Sequence, residues 1–285
     1  MNSVDLHMHT TYSDGQASPQ ELLEEAKRRG LRTVAITDHE TAQGNRDGQA
    51  IAKNLGIELL PAIEITVSWL GYSGHGGGPD IDILGYFIDL ESSALQQHER
   101  EALEIYTARA ARVCEGLRRN GYDLYIEDVL ETNPSYPGYL ALLQTLMRQG
   151  GPSSRGHAGS LIEPFWNSEG TPLEMDDAIA RVHDMGGVAV LAHPAIIRRD
   201  DLEPLNERGM AQLVEMGLDG IEVLHYRNSE QQRRYFDLLA RMFKLPISGG
   251  SDEHKGPGHF QRLGSERVTP DMVEALRQVK LQKYS

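Results

Sequence analysis

Short apolar segments alternate along this chain with amphipathic stretches of helical period, and no other feature of the sequence constrains the fold as strongly. The stretch "SPQELLEEAKRRG" is typical of the helices, with Ser18 at the N-cap, Pro19 at the first helical position and Glu21 two residues later. Strands that alternate with helices favour a parallel sheet or barrel. We therefore predict an α/β fold whose strands end on one common face.

The alternation stops between residues 92 and 171. There the long helical pattern "QQHEREALEIYTARAARVCEGLRRNG" leads into shorter helical pieces and into turns rich in Pro, Gly and Ser, without a strand pattern. This organisation predicts a helical insertion or cap over residues 92–171, between a first part of a barrel at 1–91 and a second part at 172–285. A chain of 285 residues is long enough for such a barrel.

Composition disfavours several classes of protein. The formal net charge of −14 opposes the binding of long nucleic acids, which requires clustered Lys and Arg. A small phosphorylated ligand remains compatible with that charge, because bound divalent metals can reverse the local field. Cys114 is the single cysteine, so no intramolecular disulfide can form. No apolar run has transmembrane length and "MNSVDLH" lacks the features of a signal peptide, so we expect a cytoplasmic protein without a membrane partner.

Imidazoles and carboxylates recur near the ends of the predicted strands. "LHMH" places His7 and His9 two residues apart, so both side chains point to one face of a strand. "GGSDEH" gives Asp252 and His254 the same spacing. The other members of this set are Asp14, His39, Glu64, Asp82 and His193. Because the strand ends converge on one face of an α/β barrel, we expect these side chains to lie close together.

The chemistry of this set predicts a metal centre. Imidazoles and carboxylates without a thiolate are typical of Mn²⁺, Zn²⁺ or Fe²⁺ sites and not of a structural zinc cage. So many donors exceed what one ion can use. We therefore predict two or three divalent ions that share bridging carboxylates, an arrangement that suits the hydrolysis of phosphoesters.

Taken in order, the motifs "DLHMHTTYSDG", "AITDH", "AIEI", "LAHP" and "GGSDEH" resemble the PHP (polymerase and histidinol phosphatase) family of the amidohydrolase superfamily. The resemblance runs through nearly the whole chain, and it implies a distorted (β/α)7 barrel with a trinuclear metal centre. The ligand sets it implies are His7, His9, Glu64 and Asp252 for one ion, Glu64, Asp82 and His193 for a second, and Asp14, His39 and His254 for a third.

Position 82 departs from the pattern of that family, whose members usually carry His there. Asp82 can still bind a metal, but it adds negative charge to the site. His75, in the glycine-rich stretch "GYSGHGGGPD", is an alternative imidazole donor. Asp38, in "TDH", fits either direct ligation or the orientation of an imidazole.

The insertion carries a resemblance of its own. The stretch "RAARVCEGLRRNGYDLYIEDVL" resembles the helical segment of small bacterial PHP phosphoesterases that act on nucleoside 3′,5′-bisphosphates and, in some members, on the 5′ ends of short RNA. In that subgroup an Arg and a His of the insertion contact substrate phosphate, which implies this role for Arg155 and His157 in "SSRGHAGSLI". We expect Asp252 and His157 to act in catalysis, with His157 or a metal-bound water protonating the leaving oxygen. His225, after "IEVL", either faces the same pocket or caps its strand.

The sequence thus predicts a metal-dependent phosphoesterase that releases phosphate from a small nucleotide of the 3′,5′-bisphosphate type by attack of a metal-activated hydroxide. Two alternatives stay open: a phosphatase of histidinol phosphate, and a catalytically silent module that binds metals or a nucleotide, which Asp82 favours. Amide hydrolysis is disfavoured, because no Lys falls at a strand end where a carbamylated ligand would be expected. His98 and His183 lie on predicted helices and are expected at the surface.

Overall fold

The computed structural model describes residues 3–74, 80–166, 173–199 and 203–284 and confirms a mixed α/β fold. One sheet contains three parallel strands, β1 (Val4–Asp5), β2 (Thr33–Ala35) and β3 (Glu58–Leu60). A second sheet contains, in order across it, β10 (Ile247–Gly249), β9 (Gly220–Leu224), β7 (Val188–Leu191), β6 (Ile81–Tyr86) and β4 (Ala62–Val67). A small antiparallel pair joins β5 (Tyr72–Ser73) to β8 (Arg198–Arg199).

Amphipathic helices pack against these sheets. Outside the insertion they are α1 (Pro19–Arg28), α2 (Gln43–Leu55), α7 (Met175–Asp184), α8 (Glu207–Glu215), α9 (Glu230–Phe243) and α10 (Pro270–Lys283). The capping box predicted for α1 is present, since the side chains of Ser18 and Glu21 each accept the backbone N–H of the other residue. Ile179 and Val182 of α7 share a buried apolar cluster with Ile83 of β6. Among the described helices, none combines the length and apolar character needed to cross a membrane.

The two sheets are joined by backbone contacts near the ends of their strands. Just after β1, the N–H of Leu6 donates to the carbonyl of Gly249 in β10, with an N···O distance of 3.3 Å. On the other side, His39 after β2 forms a parallel bridge with Glu64 of β4. These contacts bring the polar motifs that follow β1, β2 and β10 to one edge of the molecule.

The strand β6 runs against its neighbours. It pairs antiparallel with both β4 and β7, so the prediction of uniformly parallel strands is wrong here. A parallel connection requires a long crossover, usually a helix, whereas no described residue between β4 and β6 is helical. As a result, the beginning of β6 lies beside the end of β4, where Asp82 pairs in register with Thr66.

The apolar stretch "IELLPAIEITV" forms two strands, which lie in different sheets. Pro61 separates β3 from β4. Proline has no backbone N–H to donate and restricts the residue before it, so it interrupts a ladder of hydrogen bonds. Pro61 is therefore the point at which the chain passes from the three-stranded to the five-stranded sheet.

The described part of the predicted insertion is helical. Its helices are α3 (Ser93–Arg119), α4 (Ile126–Thr132), α5 (Tyr139–Arg148) and α6 (Arg155–Trp166). They pack around an apolar cluster of their own, which includes Cys114, Leu142 and Ile162. These residues are distinct from the apolar clusters beneath the sheets. The insertion therefore has its own core, while its bounds at 92 and 171 stay a prediction.

Two helical histidines depart from the expected surface positions. His98 on α3 is only 2% exposed, and its Nε2 lies 2.9 Å from Oε2 of Glu40. His183 on α7 is partly buried, and its Nε2 lies 2.8 Å from Oδ2 of Asp219. The prediction is wrong for His98 because a carboxylate from a neighbouring element compensates the burial of its imidazole.

Candidate metal centre

The structure brings all nine predicted ligands together, and we call them the ligand cluster. Donor atoms of eight ligands form three overlapping groups in which every pair lies within 4.8 Å: His9, Asp14, His39 and His254; His7, Glu64 and His193; and His7, His9 and Asp252. The ninth, Asp82, joins through Oδ2, which is 3.6 Å from Nε2 of His193. It reaches the ligand cluster because β6 is antiparallel and begins at this edge. His75 lies outside the described residues.

Glu64 occupies the middle of the ligand cluster. Its Oε2 is 3.2 Å from Nε2 of His7 and 3.2 Å from Nε2 of His9. Its Oε1 is 3.2 Å from Nε2 of His193. Asp252 lies on the same side of Glu64 as His7 and His9. Its Oδ1 is 3.6 Å from Nε2 of His7 and 3.4 Å from Nε2 of His9. The carboxylate of Glu64 therefore faces imidazoles on two sides, as a carboxylate shared by two cations does.

A third group surrounds Asp14 in the loop after β1. Its Oδ2 is 3.2 Å from Nε2 of His254 and 4.0 Å from Nε2 of His39. Its Oδ1 is 3.4 Å from Nδ1 of His9. The side chain of Asp14 is 25% exposed and that of Glu64 only 1%. The group around Asp14 is therefore the one nearer to solvent.

Glu222 of β9 contacts the ligand cluster, although no sequence motif pointed to it. It is fully buried, and its Oε1 lies 3.0 Å from Nδ1 of His7. Its Oε2 accepts the backbone N–H of His193 at 2.8 Å. Glu222 thus fixes one nitrogen of His7 and leaves Nε2 directed at the ligand cluster. A glutamate inside the apolar strand "GIEVL" was the available signal, because a buried carboxylate requires a partner.

Other buried carboxylates shape the loops that carry the ligands. Asp38 accepts hydrogen bonds from the backbone N–H and hydroxyl of Thr10, both at 2.6 Å, and from the hydroxyl of Ser13 at 2.7 Å. Glu253 accepts the backbone N–H groups of Gln261 and Arg262 at 2.8 and 2.6 Å. Of the two roles open to Asp38, this geometry favours the orientation of the loop that contains His9 and Asp14.

Three residues in or next to the ligand cluster have strained backbone conformations. Glu40, His193 and Asp252 have positive φ angles of 61°, 25° and 50°. Such conformations cost about 1–3 kcal/mol each and persist where surrounding contacts hold them. The N–H of Asp252, for example, donates to the carbonyl of His7 at 2.9 Å. These bends occur where strands end, and they direct ligand side chains inward.

Opposite charges control protonation within the ligand cluster. Burial raises the pKa of Asp252, but the charges of His254 and His7 outweigh it and hold that pKa well below its usual range. Burial lowers the pKa of His9, but its hydrogen bonds to Asp252 and Glu64 outweigh this and raise the pKa to about 10. The opposite charges of these neighbours thus shift the pKa values of Asp252 and His9 toward their ionised forms.

This donor set fits divalent ions. Carboxylates taken out of water require compensating cations. A divalent ion can replace the imidazole protons, because neutral imidazole and carboxylate are the ligand forms that Mn²⁺, Zn²⁺ and Fe²⁺ bind. The contact between Nδ1 of His7 and Glu222 is the kind of outer contact that orients a ligating imidazole.

A cavity of about 550 Å³ opens beside the ligand cluster. Besides ligands, its lining includes aromatic side chains of the insertion, namely Tyr106, Tyr136, Tyr139 and Trp166. Arg227, which follows β9, and Glu163 of α6 also line it. The cavity therefore combines a polar floor of metal-ligand type with an aromatic wall.

The predicted substrate residues lie elsewhere. Arg155 and His157 are exposed at the beginning of α6 and are not among the residues that line this cavity. Their contact with phosphate stays a prediction. His225 is fully buried, with Nε2 3.3 Å from Oδ2 of Asp252. This geometry favours a role for His225 in orienting Asp252 over contact with a substrate.

Known proteins resemble this chain in sequence. Residues 5–148 match the PHP domain. A 5′-3′ exoribonuclease of Haemophilus influenzae is 30% identical over 275 residues, which cover 94% of this chain and 96% of the relative. A 3′,5′-nucleoside bisphosphate phosphatase of Chromobacterium violaceum is 29% identical, covering 92% of this chain and 90% of the relative. A phosphoribosyl 1,2-cyclic phosphate 1,2-diphosphodiesterase of Eggerthella lenta is 28% identical, covering 91% and 97%.

Two solved structures share the fold over nearly their full length. A Bifidobacterium adolescentis protein assigned to the metal-dependent phosphoesterases matches with a TM-score of 0.82 at 25% identity, covering 98% of this chain and 96% of the other. An amidohydrolase of Chromobacterium violaceum, solved with sulfate and without metal, matches with a TM-score of 0.78 at 25% identity, covering 97% and 96%. The arrangement of sheets and insertion therefore recurs in these proteins.

Proposed function

Because this chain belongs to the PHP family and is a metal-dependent hydrolase of phosphoester bonds, we propose that it releases phosphate from a small nucleotide of the 3′,5′-bisphosphate type. The observation that carries this proposal is the convergence of nine imidazole and carboxylate donors, seven of which line a cavity with an aromatic wall. Aromatic side chains suit a nucleobase, which can stack on them.

In this proposal the ligand cluster holds two or three divalent ions, of Mn, Zn or Fe. His7, His9, Asp252 and Glu64 would hold one ion, Glu64, His193 and Asp82 a second, and Asp14, His39 and His254 a third. When bound, such ions supply an activated water and neutralise charge on the phosphoryl oxygens. The chain itself positions the ligands, through Glu222 at His7 and His225 at Asp252.

We propose that the two sheets form the distorted (β/α)7 barrel of the family, supported by the contacts between Leu6 and Gly249 and between His39 and Glu64. Residues 92–171 form the insertion, and its aromatic side chains cover the mouth of the site. Tyr136 supports this, because its ring stacks on that of His39 with centroids 5.7 Å apart.

The names of the relatives support a phosphorylated nucleotide or a related sugar phosphate over histidinol phosphate. Among these relatives, one is named for nucleoside 3′,5′-bisphosphates, three for 5′-3′ exoribonuclease activity and one for a cyclic phosphoribosyl ester. We propose the bisphosphate first, since the cavity of about 550 Å³ has room for one nucleotide. Short RNA 5′ ends remain a second substrate class in this proposal.

Phosphate release by the Mn²⁺-loaded protein tests the proposal. The panel contains adenosine 3′,5′-bisphosphate, AMP, histidinol phosphate, phosphoribosyl 1,2-cyclic phosphate and a short 5′-phosphorylated RNA, with products identified by mass spectrometry. We expect the highest kcat/KM for the bisphosphate. A higher kcat/KM for histidinol phosphate or the cyclic ester would replace the proposed substrate. Metal binding without turnover of any substrate would favour a binding module.

A further inference from the structure

The cavity beside the ligand cluster contains a cation that no motif predicted. Arg227 is the only lysine or arginine among the described residues that line it. The same lining contains six carboxylates, namely Asp14, Glu64, Asp80, Asp82, Glu163 and Asp252. A guanidinium in such surroundings ordinarily forms an ion pair with a carboxylate.

Arg227 forms no such pair with a carboxylate in the described parts of the chain. Other arginines near the site are occupied. Arg233 pairs with Glu266 at 2.9 Å. Arg109 donates two hydrogen bonds to the carbonyl of Trp166, at 3.1 and 2.9 Å. The donors of Arg227 are therefore available to a ligand.

The backbone of Arg227 is tied to the ligand cluster. Its N–H donates to Nδ1 of His225 at 3.2 Å, and Nε2 of His225 lies 3.3 Å from Oδ2 of Asp252. Arg262 stacks on Tyr226 with its Cζ 3.9 Å from the ring centroid, whereas Cζ of Arg227 is 5.3 Å away. Arg262 thus holds the closer position on Tyr226, and Arg227 is an exposed residue among those that line the cavity.

We propose that Arg227 binds the phosphate of the substrate that is not hydrolysed, and so makes the enzyme prefer substrates with two phosphates over those with one. This inference rests on the proposed function. The ligand cluster takes the scissile phosphate, and the planar guanidinium offers paired donors to the second phosphate. Arg155, which the family resemblance implies for phosphate binding, is not among the residues that line this cavity, whereas Arg227, also an exposed residue, is.

Steady-state kinetics of Arg227→Ala and Arg227→Lys test this assignment, with adenosine 3′,5′-bisphosphate and the two adenosine monophosphates as substrates. For Arg227→Ala we expect KM for the bisphosphate to rise about 10- to 100-fold, the loss typical of a hydrogen-bonded charge. We expect kcat and the monophosphate KM to change little, so the preference for two phosphates disappears. We expect Arg227→Lys to retain part of the preference for two phosphates. Arg234→Ala removes an exposed arginine that pairs with Glu230 on α9, and it serves as the charge-matched control.

A binding measurement separates this inference from the proposed function. Calorimetry of the metal-free protein with adenosine 3′,5′-bisphosphate needs no turnover, and we expect Arg227→Ala to weaken binding at least about tenfold. If the wild type binds the bisphosphate but does not hydrolyse it, and Arg227→Ala loses this binding, the proposed function is overturned. The assignment of phosphate binding to Arg227 then stands. An unchanged preference in Arg227→Ala, or its loss in Arg155→Ala instead, would overturn the assignment alone. A wild type that neither binds nor hydrolyses the bisphosphate would overturn both.

Discussion

The ligand cluster and the helical insertion are held together by different forces. In the ligand cluster, carboxylates and imidazoles lie 3.2–4.0 Å apart, and their opposite charges compensate one another. The insertion packs through apolar side chains such as Leu142 and Ile162. Removing one member of the ligand cluster leaves an uncompensated charge beside the reaction, whereas removing one apolar group leaves a cavity. Changes in the two regions should therefore separate chemistry from stability and substrate handling.

The regions meet at a few contacts of specific chemistry. Asn133, at the end of α4, donates through Nδ2 to the carbonyl of Ser13 at 2.7 Å and to that of Thr11 at 3.3 Å. His98 on α3 pairs with Glu40, the neighbour of the ligand His39. The insertion thus touches the two loops that carry the more exposed ligands.

The largest effect is expected inside the ligand cluster. Asp252→Ala and His9→Ala should each reduce kcat/KM by roughly 10³-fold or more, because several kcal/mol of transition-state stabilisation depend on the ions. Thermal unfolding of both variants should remain cooperative. Asp237→Ala on α9 is the control, since its carboxylate pairs with exposed Arg241, away from the ligand cluster. Wild-type turnover in both ligand variants would contradict the assignment of the metal centre.

A smaller loss of metal affinity or activity is expected for Glu222, which contacts a ligand but does not belong to the ligand cluster. Glu222→Gln keeps the size of the side chain but replaces the carboxylate that faces Nδ1 of His7. Loss of such an outer contact typically costs about 10- to 100-fold in metal affinity or activity. Titration with Mn²⁺, followed by activity and by bound metal, measures it. Glu230→Gln, an exposed substitution on α9, should match the wild type, and an equal affinity in Glu222→Gln would show that Glu222 does not orient the ligands.

A more moderate loss of Mn²⁺ affinity is expected where the insertion contacts the loop of Asp14. Asn133→Ala removes two hydrogen bonds to the loop of Asp14, worth about 1 kcal/mol each. We expect the Mn²⁺ concentration for half-maximal activity to rise by up to about tenfold, with kcat recovered at saturating Mn²⁺. Asn120→Ala, at the exposed end of α3, is the control. A kcat that stays low at saturating Mn²⁺ would instead place Asn133 in the chemistry.

The smallest effect on activity is expected far from both regions. Burial raises the pKa of Asp219, but its hydrogen bonds with His183 and Lys283 outweigh this and lower the pKa below its usual value. A lowered pKa contributes stability that is present above the unfolded value of about 3.9 and is lost as the pH falls through the folded value.

Asp219→Asn should therefore lower the free energy of unfolding by about 1–3 kcal/mol at pH 7 and by less below pH of about 4. Urea denaturation at several pH values measures this, and kcat should stay near that of the wild type. A difference between wild type and variant that does not depend on pH would contradict the role of the Asp219 charge.

The convergence of the ligands could be predicted because strand ends fix where side chains point. His7 and His9 follow one strand at a spacing of two, and this spacing alone places them on one side. The direction of β6 could not be predicted, because an apolar pattern such as "IDILGY" is the same for parallel and antiparallel neighbours.

Whether a residue on a helix of the insertion faces the site was harder to predict. Motif matching placed Arg155 and His157 at the phosphate, but the outward face of α6 depends on packing with its neighbours, which no local pattern reports. Arg227 and Glu222 had no motif at all. Their roles follow from which side chains lack or need a partner once the chain has folded.

Anomalous diffraction from crystals soaked in Mn²⁺ tests the central claim most directly. We predict two or three peaks within the ligand cluster, with Glu64 between two of them and Asp14 beside the most exposed one. We also predict that the peaks around Glu64 vanish in Asp252→Ala or weaken strongly. Phosphate release by crystals or solutions without any peak in the ligand cluster, or peaks only elsewhere on the chain, would contradict the account.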